Sequence, residues 1–177
     1  MGARDVLLHM EATQERLELG DEPPASWMTN DHVLRPGRHP EVGEYWDDLQ
    51  VYHRMYRDSV LPLSERAVIT HAAEAGVRPR QLRPQLEGLR ESLRTTVAIH
   101  ETALEAAAVG RRIHNSLLRF QGHLSVDFEG RIVFPNQIMA DAFNREVETL
   151  TTLGARLDSL DAASSERARA DLARLEP

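Results

Sequence analysis

From Leu82 to Gln121, apolar or small residues recur alternately four and three positions apart: Leu82, Leu86, Leu89, Leu93, Thr96, His100, Ala103, Ala107, Gly110, His114, Leu117 and Gln121. A spacing of this kind, sustained over about five heptads, predicts one long helix that shows a narrow stripe to its partners, as in a bundle or coiled coil. At about 1.5 Å rise per residue the helix is roughly 60 Å long, which no small globule covers alone. It needs a second long helix, a second chain, or both. A second seam runs from Asn136 toward the C-terminus through Phe143, Val147, Leu150, Leu153, Leu157, Leu160, Ala168, Leu172 and Leu175, weakening at Ser164 and Ser165.

Composition agrees with helix packing on helix. Hydrophobic residues make up 41% and charged residues 28%, the balance of a folded chain, while aromatics reach only 5%, too few for the core of a large sheet. The net charge of -7 opposes phosphate backbones, so any nucleic-acid contact needs a local basic patch. The absence of cysteine excludes disulfides, thiolate zinc sites and thiol nucleophiles. The opening Met1-Gly2-Ala3-Arg4-Asp5 lacks the apolar run of a secretory signal, and no stretch approaches the roughly 20 apolar residues of a membrane span. A cytoplasmic protein without membrane contact is expected.

The chain divides into an N-terminal helix and extended arm, residues 1–40, and a helical domain, residues 41–177. The first helix, about Arg4 to Leu19, carries Val6, Leu7, Met10 and Leu17 on one side and can end at Gly20. Pro23, Pro24, Pro36 and Pro40 then predict an arm, whose Trp27, Met28, Val33 and Leu34 either staple it to its own domain or reach a neighbouring subunit. In the helical domain, helices are expected at about 41–60, 65–75, 79–121 and 136–175. Pro62 breaks the chain between the first two, and Ser64 caps the second. A β-hairpin is expected at about 123–134, from the alternation in Leu124–Phe134 around Gly130. On residues 41–60, Trp46 and three tyrosines, including Tyr52 and Tyr56, crowd one face. Ala103, Ala106, Ala107, Ala108 and Gly110 form a small-residue zone that admits another backbone.

Chemistry is harder to find. Ala72–Leu82, a short helix, a glycine turn and a helix opening with Arg78, Arg80 and Arg83, resembles the helix-turn-helix of bacterial regulators; the resemblance implies that these arginines meet base edges and phosphates. Against it stand Pro84 in the second helix and the acidic remainder. Eight histidines raise the question of metal, but no Glu-x-x-His pair or His-Glu-x-x-His pattern occurs. His100 and His114 share the long seam roughly 21 Å apart, too far for one ion. Each can meet a partner histidine across an interface, forming a polar layer that fixes register. Glu44, Asp47, Asp48 and His53 scatter around their helix and read as a solvated face. No nucleophile elbow, phosphate loop or dinucleotide fingerprint is present, so no catalytic, cofactor-binding or metal-ligating residue is nominated.

The expected fold is mainly α, a long helical hairpin or bundle with a small β-hairpin between the two long helices and an extended N-terminal arm. The expected function is structural or assembly work by protein–protein interaction, in a homo-oligomer or larger complex. Its interface candidates are Trp27, Trp46, Tyr52, Tyr56, His100 and His114. The alternatives are a DNA-binding regulator using about residues 68–86, and a helical bundle that binds a ligand or metal.

Overall fold

The structure, a computed structural model, describes residues 3–17 and 22–173. Gly20, expected to end the first helix, lies outside them, as does Leu175 at the end of the second seam. The elements are α1 (Ala3–Arg16), α2 (Asn30–Leu34), a 3-10 turn (Pro36–Arg38), α3 (Pro40–Met55), a π turn (Tyr56–Val60), α4 (Leu61–Glu74), α5 (Pro79–Phe120), β1 (Ser125–Val126), β2 (Ile132–Val133) and α6 (Gln137–Ala173). The fold is mainly α, as expected. Among the described residues, no helix is long and apolar enough to cross a membrane.

Three long helical segments run antiparallel. The 42 residues of α5 span about 63 Å and form the spine. On one side α6 returns along it, in a register set by Arg112 with Glu146 at 3.0 Å and Arg167 with Glu91 at 3.9 Å. On the other side α3, the π turn and α4 follow α5, matched by Asp47 with Arg111 at 3.1 Å and by Glu65 with Arg90.

The break expected at Pro62 does not occur. Backbone angles stay right-handed helical through Tyr56, Val60 and Leu61. The Leu61 N–H reaches back to the Tyr56 carbonyl, a five-residue step. That widened turn makes room just before the proline, whose ring would otherwise press on the carbonyl of the preceding turn. Ser64 is not a cap; its hydroxyl donates to the Val60 carbonyl at 3.0 Å. α5 likewise passes through Pro84.

The main core forms where the C-terminal half of α5 meets α6. Val109, Ile113 and Leu117 pack with Phe143 and Leu153 of α6, with Val33 of α2 and with Leu124 before the hairpin. A second cluster joins Val42, Tyr45, Trp46 and Leu49 of α3 to Ala107 and Leu17. The small-residue zone works as a packing device: a Cβ on Gly110 would run into the indole of Trp46, so glycine lets that ring lie on the α5 backbone.

The arm folds back onto its own chain. Thr29 caps α2 by accepting the His32 N–H, and His32, Val33 and Pro36 are fully buried. In the hairpin, Ser125 faces Val133 and Val126 faces Ile132. Asp127 Oδ1 accepts the N–H groups of Glu129 and Arg131 at 2.9 Å each, and Gly130 supplies the positive φ that the turn requires. The hairpin tip leaves Phe128 93% exposed.

Candidate functional site

The two histidines on the α5 seam are each met by another histidine of the same chain. His114, 2% exposed, lies with its Nδ1 2.9 Å from Nε2 of His32, which is 0% exposed. The arm fixes the protons of this pair. Met28 adopts a left-handed backbone (φ 56) and its N–H donates to His32 Nδ1 at 3.3 Å. With Nδ1 accepting, neutral His32 carries its hydrogen on Nε2 and donates to His114 Nδ1. Further along α5, His100 is matched by His53 of α3, Nδ1 to Nδ1 at 2.8 Å. Tyr56 stacks on His100 with ring centres 3.8 Å apart, and Tyr52 meets His53 edge-on at 5.2 Å.

His53 therefore does not lie on a solvated face with Glu44, Asp47 and Asp48. It is 6% exposed, one helical turn beyond buried Leu49. Glu44 and Asp47 stay exposed, Asp47 facing Arg111.

Burial sets the electrostatics. It pushes His53 down to about 4, and burial followed by the field of His114 brings His32 to about 4 as well. His114 is lowered by burial and then by Arg111. His39, on the outer side of His32, moves the other way. Its Nε2 bonds Asp31 at 2.7 Å, which raises it, and its Nδ1 bonds Glu41 at 3.0 Å. Near neutral pH His32, His53 and His114 are thus held uncharged while His39 is poised to hold a charge. Among the described residues no group of three or more His, Asp or Glu side chains is placed to hold a metal ion.

A cavity of about 480 Å³ opens beside the His53–His100 pair, between α3, α5 and α6. Its α3 wall is Tyr45, Trp46 and Tyr52, Trp27 of the arm closes one end, and α6 contributes Gly154, Asp158 and Asp161. Trp27 meets Trp46 edge-to-face at 5.2 Å and 74°.

Five of the six interface candidates named from the sequence thus gather in this region of the chain, while His114 pairs with His32. Trp46 and His100 are buried there and Trp27, Tyr52 and Tyr56 half-buried, while His114 is buried at its own pair. Arg78, Arg80 and Arg83 stand elsewhere, exposed at the start of α5, with Arg83 paired to Glu87 at 3.0 Å. The sequence nominates neither His32 nor Asp158 nor Asp161, and reads His53 as part of a solvated face. The four-residue step from Leu49 to His53, and from Leu150 through Gly154 and Asp158 along α6, was the available signal; nothing local marks His32. No protein-family model, curated protein or solved structure matches this chain.

Proposed function

We propose that this chain is an interaction module, acting through protein–protein association as an oligomer or as a subunit of a larger assembly, with the α4–α5 end as its contact surface. The observation that supports this is the unequal covering of one stripe. At the C-terminal end of the α5 seam Leu117 is sealed, along with neighbouring Val109 and Ile113. At the N-terminal end Leu82, Leu86, Leu89 and Leu93 are only half-buried, and Ile69 of α4 is exposed beside them. A groove of about 770 Å³ lies there, with Leu61, Pro62, Leu93 and Val97 as its floor and Glu65, Glu87, Arg90 and Arg94 along its sides. Full burial of a leucine is worth about 2 kcal/mol, so such a stripe leaves several kcal/mol of apolar burial for a partner.

The DNA-binding alternative draws less support. The pairing of Glu65 with Arg90, and of Ile69 with Leu82 and Leu86, aligns α4 and α5 antiparallel, whereas a helix-turn-helix crosses its helices at about 90–120°. Absolute mass by light scattering tests the proposal. A defined oligomer that dissociates when the stripe is made acidic supports it; a 20.0 kDa monomer insensitive to that change, and without a partner, removes it.

A further inference from the structure

The cavity beside the His53–His100 pair has a feature that the packing of the bundle does not require. Along α6 the residues turned to it are Leu150, Gly154, Leu157, Asp158 and Asp161, one helical face. Two carboxylates, Asp158 and Asp161, therefore stand exposed at the α6 side of the cavity, next to the half-buried Leu157 of the seam. The α5–α6 register puts Asp158 opposite His100. Neither aspartate has an ion-pair or hydrogen-bond partner among the described residues, and no arginine lines the cavity. Opposite them stand Tyr45, Trp46, Tyr52 and Trp27, which offer apolar and π surface. Space is open at Gly154, where a Cβ would meet nothing within 4 Å.

We propose that this cavity binds a small organic monocation, an amine with an aromatic or branched aliphatic body, its apolar part between the aromatic walls and its charged head at Asp158 and Asp161. The size fits, because sites of roughly 300–1,000 Å³ between bundle helices take small molecules. The charge fits in sign: carboxylates attract an ammonium group, aromatic rings add cation–π attraction, and no arginine lines the cavity to repel it. An anion meets two carboxylates and no cation. A neutral ligand gains only the walls.

The two tryptophans of the chain, Trp27 and Trp46, both line the cavity, so intrinsic fluorescence reports on it directly. The test titrates the full chain with phenethylamine, phenethyl alcohol and hydrocinnamate, which share a body and differ in head charge, and repeats the series by calorimetry. The expected result is saturable binding of the amine, about tenfold tighter than the alcohol, with no binding of the acid. Asp158→Asn combined with Asp161→Asn removes that tenfold preference and leaves alcohol binding unchanged. Gly154→Leu fills the open space and abolishes both, with the circular dichroism of the parent retained. Equal binding of amine and alcohol, preference for the acid, or no saturable change in folded protein overturns the proposal.

Discussion

His32 Nε2 stands 2.9 Å from His114 Nδ1, with the rings within 7° of parallel, although 82 residues separate the two in the chain. The hydrogen bond ties the arm to the spine in a fully buried setting. Met28 N–H occupies the other nitrogen of His32, so an added proton displaces either that donor or the bond to His114.

Acid therefore loosens the fold in a defined window. His32 and His53 are held down to about 4, against an ordinary value of 6.5. Because the unfolded chain takes these protons first, their contribution to stability is complete above pH 6.5. It falls by about 1.4 kcal/mol per pH unit for each histidine as pH drops toward 4. His39 is raised by Asp31, so its smaller contribution has the opposite sign, present below pH 6.5 and lost as pH climbs through its folded value. Urea midpoints measured from neutrality to about pH 4.5 check this. A flat profile would mean that the inner pairs are solvated.

Removing one partner of the buried pair is expected to cost more than removing both. His114→Leu leaves the His32 Nε2–H without an acceptor and costs about 2–3 kcal/mol. Adding His32→Leu recovers part of that loss, a coupling of about 1–2 kcal/mol in a double-mutant cycle. Strict additivity of the two substitutions would show that the hydrogen bond contributes nothing of its own.

The helical glycines should separate into two kinds. Gly110→Ala drives a methyl into the Trp46 indole and is expected to destabilise by about 1–3 kcal/mol. Gly88→Ala and Gly154→Ala meet nothing within 4 Å and gain up to about 1 kcal/mol of helix propensity. Thermal unfolding of the three variants decides, and a neutral Gly110→Ala would mean that the indole is free to move.

For the association surface, Leu86→Glu with Leu93→Glu should convert an oligomer to a 20.0 kDa monomer while leaving far-ultraviolet circular dichroism intact. Loss of helicity instead would mark these leucines as internal support for α5.

Much of the architecture is legible in the chain. The α5 seam announces its helix because periodicity over so many turns outweighs local interruptions such as Pro84. The hairpin is legible because Asp127 and Gly130 carry its turn chemistry locally. Pro62 misleads because the cost of a proline is judged against a regular α ladder, and the chain evades it by widening the turn before it. The histidine pairs were invisible for another reason. His100 and His114 stand out as polar seam residues, but their partners lie 47 and 82 positions away, and only the arm and the α3 register bring them together.

The π turn between Tyr56 and Val60 also changes which side of the following helix faces inward. A regular continuation of the α3 stripe would present Val60, Leu63, Ala67 and Thr70. Instead Leu61, Glu65, Val68 and Ala72 are the covered positions, while Ala67 and Thr70 are exposed, a phase advanced by one residue, or about 100° of rotation. The turn thus absorbs one surplus residue: deleting a residue within it would leave a regular helix in which Leu61, Glu65, Val68 and Ala72 keep their inward phase, and would press the Pro62 ring back on the preceding turn.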